Sequence, residues 1–224
     1  MGNERMITVE HFKNEKEWLK ARKNKIGGSD CAAILGMNPY KTNVDLWKEK
    51  KGIKEAEDIS DKPYVVYGKR AEPLLRELFK LDFPNYEVNY SENNMWLNSK
   101  YPFAHASLDG WITDKETNEK GILEIKTTQI MKSQSKEKWK NQIPQNYYLQ
   151  VLHYLLITEF DFVILKAQLK YEYKESDKTF LNTNHYFIKR KDVEEDIEYL
   201  RDKEEKFYQS LIDDKCPDLL LPEI

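Results

Sequence analysis

The segment from Ser107 to Thr127 constrains this chain more than any other. Two apolar-rich runs, Ser107-Leu-Asp-Gly-Trp-Ile-Thr and Gly121-Ile-Leu-Glu-Ile-Lys-Thr, flank the polar, turn-forming stretch Asp114-Lys-Glu-Thr-Asn-Glu-Lys. That pattern is a β-hairpin with a longer loop. With the loop centred near Glu116–Thr117, antiparallel pairing places Asp109 opposite Glu124. Glu124 and Lys126 stand at i and i+2, so they share one strand face, while Leu123 and Ile125 point into the core. Facing carboxylates repel unless a divalent cation neutralises them. Hard oxygen ligands suit Mg²⁺ or Mn²⁺, which keep waters and bind phosphate oxygens. A lysine beside such a cation orients or deprotonates water and offsets developing negative charge. This is equipment for phosphodiester hydrolysis. The hairpin alone leaves a surface salt bridge as the alternative. Acid-x-Lys also occurs at Glu49, Glu172, Glu204 and Asp213, but only Glu124 sits in an apolar strand opposite an Asp-Gly.

Composition narrows the remaining classes. At 33% charged and 40% hydrophobic residues, the chain is neither low-complexity nor compositionally disordered, and 224 residues suit one sizeable domain, expected over 1–224. The longest apolar runs, such as Val163-Ile164-Leu165, fall far short of the ~18–20 residues of a membrane span. Met1 to Glu10 has no apolar core followed by a small-residue cleavage site, so a cytoplasmic protein is expected. Cys31 and Cys216 form no CxxC pair and cannot supply four thiolates. Two reduced thiols are expected, without a structural zinc or iron–sulfur centre. A net charge of −3 requires any DNA-binding surface to be local.

Periodicity predicts helices over Glu15–Lys25, Asp30–Leu35 (with Ser29 as N-cap and Gly36 as its stop) and Asn43–Lys51. A longer helix over Tyr67–Leu81 carries Leu74, Leu75, Leu78 and Phe79 on one face, and Pro73 argues for a start near Glu72. Strands follow at Tyr86–Tyr90, Met95–Leu97, Tyr101–Ala104, Leu108–Thr113 and Gly121–Thr127. A helix over Pro144–Thr158 places Tyr147, Gln150 and Tyr154 on one face. Strands at Phe160–Lys170 and Asn184–Lys189 precede a last helix over Asp192–Ile212, whose apolar stripe breaks only at Glu204. The order predicts an α/β domain with a mixed sheet.

Asp109…Glu124-Ile-Lys126 resembles the core of PD-(D/E)XK nucleases, whose fold is a restriction-endonuclease-like mixed sheet flanked by helices. More narrowly, the chain is similar to the lambda-exonuclease family, also called YqaJ-like viral recombinases. The match rests on five ordered motifs over about residues 20–170. Arg22 followed by Ile26-Gly-Gly-Ser29-Asp30 and Ala32-Ala-Ile-Leu-Gly-Met-Asn-Pro-Tyr40 resembles the opening motif. Tyr67-Gly-Lys-Arg-Ala-Glu72-Pro resembles the Gly-x-x-x-Glu helix. Pro102-Phe-Ala-His-Ala-Ser-Leu-Asp109-Gly and Gly121-Ile-Leu-Glu124-Ile-Lys126 resemble the two metal-bearing strands. Tyr148-Leu-Gln150-Val-Leu-His-Tyr154 resembles the Gln-x-x-x-Tyr helix.

The resemblance implies a Mg²⁺-dependent exonuclease, with Mn²⁺ as a substitute, that digests linear duplex DNA 5′ to 3′ from its ends. Asp109, Glu124 and the Ile125 carbonyl are implied to bind metal. Lys126 serves as the water-activating or positioning group, Glu72 and Gln150 as support for water and phosphate, and Arg22 and Ser29 as the 5′-phosphate pocket. A single-strand annealing protein and a homo-oligomeric ring, trimeric first, are implied partners, in a bacterial host with a phage or prophage origin. A sequence- or structure-specific endonuclease and a non-catalytic DNA-binding protein are the alternatives. Where some relatives carry a further acid before the first aspartate, this chain has Ser99, which leaves one- and two-metal chemistry open. His105 reads as a structural histidine. The run Lys132–Lys140, with Trp139, reads equally as a DNA-tracking segment or a solvated loop.

Overall fold

The computed structural model describes residues 6–130, 136–172 and 179–221. In chain order the elements are β1 (Ile7–His11), α1 (Glu15–Arg22), α2 (Cys31–Ile34), α3 (Asn43–Lys50), α4 (Pro63–Asp82), β2 (Tyr86–Asn89), β3 (Asn94–Asn98), β4 (Trp111–Asp114), β5 (Lys120–Ile130), α5 (Gln145–Thr158), β6 (Phe162–Glu172), β7 (Thr179–Lys189) and α6 (Glu194–Ile212). The main sheet has the order β2-β4-β5-β6-β7, and β1 pairs separately with β3. Among the described strands of the main sheet only β5 and β6 are parallel, so it is mixed as expected. Parallel neighbours cannot be joined by a tight turn, and α5 makes the crossover between them.

Side chains alternate across a strand, and β5 therefore serves two layers. Leu123 and Ile125 pack against Ala71, Leu75 and Phe79 of α4. Ile122 faces the other way, into the larger cluster that holds Val163 and Leu165 of β6 and Leu152 and Leu155 of α5. Glu124 and Lys126 share the face of Ile122. α6 closes this layer with Ile197, Leu200 and Phe207.

The hairpin register is the expected one. Trp111 lies opposite Ile122, and the Leu123 N–H donates to the Gly110 carbonyl at 3.0 Å, so Asp109 falls across from Glu124. β4 itself starts at Trp111, which leaves Asp109 in the irregular approach to the strand rather than within it.

Several expectations are corrected. Tyr101–Ala104 is a turn, closed by the Ala104 N–H on the Tyr101 carbonyl at 3.0 Å, with one bridge from Ala104 to Ile26. α4 begins at Pro63, which suits a first helical turn. Pro73 lies inside it, but Pro73 and Lys69 are both exposed, so the missing N–H leaves only a solvent-facing carbonyl. The buried face of α4 is Ala71, Leu75, Arg76 and Phe79, whereas Leu74 and Leu78 are 67% and 48% exposed. Ser29 does not cap a helix. It sits in a turn over Gly28–Asp30 that leads into α2, and the Asp30 carboxylate takes the Gly27 N–H at 3.0 Å. Gly36 ends α2 at φ +72°, as its predicted stop position requires. Trp139 is buried against Tyr147 and Tyr186, not offered to DNA, while residues 132–135 of that run lie outside the described residues.

The parallel pair closes tightly at its start. Gly121 lies opposite Phe162, and a Cβ at Gly121 would fall 2.3 Å from Phe162 Cε2. Gly121→Ala is expected to cost about 1–3 kcal/mol, the usual scale for overpacking. A urea titration reads this as a lower midpoint; an unchanged midpoint would show that the ring yields freely.

Candidate active site

Asp109 and Glu124 converge by two different means. Asp109 precedes β4, and its Oδ2 accepts the Ile125 N–H at 2.9 Å, which ties the carboxylate to the neighbouring strand. Glu124 is carried by β5 itself and is 1% exposed. Its Oε1 lies 2.5 Å from Lys126 Nζ and accepts from Gln150 Nε2 at 3.1 Å. The Gln150 amide also contacts the Tyr154 hydroxyl at 2.7 Å. Tyr147 lies one turn earlier on α5, its ring centroid 5.1 Å from Lys126 Nζ. The three-residue face expected on α5 thus covers Glu124 and Lys126.

Glu72 reaches the site from α4. Its Oε1 pairs with Arg76 Nη2 at 2.5 Å, and Arg76 Nε donates to the Asp109 backbone carbonyl at 2.7 Å. The guanidinium also stacks 3.4 Å from the Tyr90 ring centroid. Arg76 therefore joins α4 to the residue that carries the first carboxylate.

Arg22 and Ser29 border the site without meeting each other. Arg22 packs over the Trp18 ring at 4.1 Å, and burial lowers its guanidinium from the ordinary value, against the opposing charge of Asp30. Ser29 is exposed, in the turn whose Gly28 abuts α5: a Cβ there would lie 2.7 Å from Tyr154 Cε1 and 2.9 Å from Gln150 Cγ. No hydrogen bond among the described residues links Arg22 to Ser29. His105 is buried with its ring beneath Gly27, and burial, then Arg22, keep it neutral well below its ordinary pKa.

A profile of the YqaJ-like viral recombinase domain matches residues 17–161. The chain belongs to this family. Arg22, Ser29, Glu72, Asp109, Glu124, Lys126 and Gln150 all fall within the matched residues. An uncharacterized protein YqaJ from Bacillus subtilis (strain 168) is 33% identical over 141 residues, covering 62% of this chain and 41% of the relative. The chain thus spans about two fifths of that relative's length. The fold of this YqaJ-like domain is similar to an alkaline exonuclease (LHK-Exo) from Laribacter hongkongensis. The TM-score is 0.61 at 17% identity, over 89% of this chain and 93% of the other. The complex of LHK-Exo with dAMP matches with a TM-score of 0.62 at the same identity and coverage.

The electrostatics of the recombinase domain leave its centre short of positive charge. Three carboxyl groups face two fixed cations, Lys126 and Arg76. Burial, then the Asp109 charge, raise Glu124 to about 8 and Glu72 to about 7. Burial also raises Asp109. Burial disfavours the Lys126 ammonium, but Glu124 and then Asp109 outweigh it and hold the amine protonated. Glu124 Oε2 is buried with no hydrogen-bond partner among the described residues. An unpartnered carboxylate oxygen beside two further carboxyls is a donor set that fits a hard divalent cation.

Arg76 was not foreseen. Its one sequence signal is its position four residues after Glu72, the spacing of an ion pair on a helix. Tyr90 carries no such signal.

Without metal, the folded state keeps protons that unfolded carboxyls lose near pH ~4.3. The folded pKa values are raised, so this contribution is fully present below the unfolded pKa and is lost as pH rises through about 7 and 8. In EDTA the Tm is expected to fall between about pH 5 and 8. Glu124→Gln should flatten that slope, and an identical slope in the variant would show that Glu124 does not titrate there.

Proposed function

We propose that this chain is a metal-dependent deoxyribonuclease that degrades one strand of linear duplex DNA from its ends, 5′ to 3′, as in phage-type recombination. The observation that carries this reading is the convergence of Asp109, Glu124 and Lys126 beneath Gln150, with a buried carboxylate oxygen left unpartnered. The fold shared with an alkaline exonuclease supports it. Asp109, Glu124 and the Ile125 carbonyl are the groups that would hold Mg²⁺ or Mn²⁺. When bound, the cation neutralises charge at the scissile phosphate and makes water acidic enough to attack near neutral pH.

The protein's own groups do the rest. Lys126, held as an ammonium, donates to the attacking water and offsets charge building on the phosphoryl oxygens. Gln150 keeps Glu124 oriented and presents its amide to water or phosphate. Glu72, beside Asp109 and paired with Arg76, is placed to support water and phosphate at the centre. Arg76 fixes Glu72 and the Asp109 backbone together. Arg22, with the backbone around Ser29, is assigned the 5′-terminal phosphate. A homo-oligomeric ring, trimeric first, and a single-strand annealing protein complete the proposed setting, in a bacterial cell that carries the phage or prophage.

The decisive experiment is digestion of end-labelled linear duplex in Mg²⁺ and in EDTA, beside covalently closed circular duplex. Linear DNA is expected to be degraded only with metal, and the circle spared; nicking of the circle would make the protein an endonuclease. Asp109→Ala and Glu124→Ala should abolish cleavage. Lys126→Ala should slow the single-turnover step by roughly 10²–10⁴-fold with DNA binding little changed. A lost binding signal with an unchanged chemical step would make Lys126 a substrate contact instead.

The phosphate pocket has its own readout. Losing one charge-assisted contact costs about 1.5–3 kcal/mol, roughly ten- to a hundred-fold. At one fixed salt concentration, Arg22→Ala should slow digestion of 5′-phosphorylated ends and narrow their advantage over 5′-hydroxyl ends. Equal wild-type rates on both ends would remove the pocket.

A further inference from the structure

The break in the apolar stripe of α6 is a built polar site. Glu204 lies between the buried Leu200 and Phe207 and is itself 0% exposed. Its Oε1 is 2.8 Å from His153 Nδ1 on α5 and 3.0 Å from Cys31 Sγ on α2. Cys31 and His153 are also 0% exposed, and the three donor atoms lie within 4.8 Å of one another. Buried carboxylates ordinarily have their oxygens bonded. Here Oε2 has no partner among the described residues.

The histidine is oriented from behind. His153 Nε2 lies 2.8 Å from the His105 backbone carbonyl. A carbonyl only accepts, so Nε2 carries a hydrogen, and in the neutral ring Nδ1 points a lone pair at the carboxylate. A lone pair and a carboxylate oxygen at that distance need a cation or a proton between them. An imidazole anchored by a carbonyl through one nitrogen, and free to donate electrons through the other, is the usual support of a metal ligand.

We propose that Cys31, His153 and Glu204 form a second metal site, selective for Zn²⁺ or a similar borderline cation. Sulfur, nitrogen and carboxylate oxygen together are zinc chemistry, whereas Mg²⁺ takes oxygen. Both Glu204 oxygens, with the thiolate and the imidazole, supply four donors. Zn²⁺ displaces the thiol proton and any proton held between His153 and Glu204, and those protons leave to solvent. The cysteine count excludes a four-thiolate centre but not this mixed one. The site joins α2, α5 and α6. It also bears on the nuclease centre through His105, whose carbonyl holds His153 and whose ring packs under Gly27, next to the turn that abuts Gln150.

Full-length protein, stripped with EDTA and dialysed, is titrated with Co²⁺. Thiolate ligation produces a sulfur-to-cobalt charge-transfer band in the near ultraviolet, which the all-oxygen Asp109/Glu124 centre cannot give. The band is expected to saturate at one equivalent per chain, to be displaced by Zn²⁺ and to ignore Mg²⁺. It should persist in Cys216→Ser and in Asp109→Asn, and vanish in Cys31→Ser. If Cys31→Ser fails to fold, Glu204→Gln should weaken Co²⁺ binding instead. Zn²⁺ at a hundred-fold excess over its Kd should raise the Tm by about 5–11 °C. No charge-transfer band from the wild-type protein, or one that depends on Cys216, would overturn the proposal and leave the cluster held by protons alone.

Discussion

Two carboxylates brought together where water is scarce repel each other, and the candidate site is organised around that repulsion. Asp109 is tethered by the Ile125 N–H, Glu124 is pinned between Lys126 and Gln150, and Glu72 adds a third negative group held by Arg76. None of these contacts removes the conflict. They hold the groups in place while it persists, which is the condition for binding a cation tightly and specifically. The raised Glu124 and Glu72 values are the same fact expressed as proton affinity.

The layers around the site follow from the need to hold that centre from both faces of one sheet. β5 points Ile122, Glu124 and Lys126 towards α5 and Leu123 and Ile125 towards α4. A helix on either side is the requirement of a parallel pair buried on both faces. Gly121 and Gly28 mark the close approaches, one where Phe162 covers β5 and one where the Gly-Gly turn lies on α5. No helix among the described residues is long and apolar enough to cross a membrane.

The parts of the structure that were legible in the sequence are those governed by short-range period. The hairpin register follows from loop symmetry, and the Tyr147, Gln150, Tyr154 face from helical spacing. Legibility failed where a residue's role depends on a distant partner. Arg76 looks like any helix base until the Asp109 carbonyl arrives from another element. Leu74 and Leu78 fit an apolar stripe, but the sheet is reached only by the row through Ala71, Leu75 and Phe79. Tyr101–Ala104 has strand-like composition but only a single bridge to pair with. Glu204 was visible as an interruption, while its partners come from Cys31 and His153, far earlier in the chain. The motifs that point to the candidate site are each local; the wiring between them is not.

The split between a local hairpin and a long-range crossover also sets an order of assembly. β4 and β5 meet across a short loop, so Asp109 and Glu124 can come together early in folding. β6 joins β5 only after the whole α5 segment has been spanned, and such non-local pairing is slow. Gln150 and Tyr154 ride on that late segment. Water still surrounds both carboxylates in the hairpin alone, so their repulsion reaches full strength only as that helix docks and excludes solvent. Protons and divalent ions therefore bear on the burial of the centre and not on the formation of the hairpin.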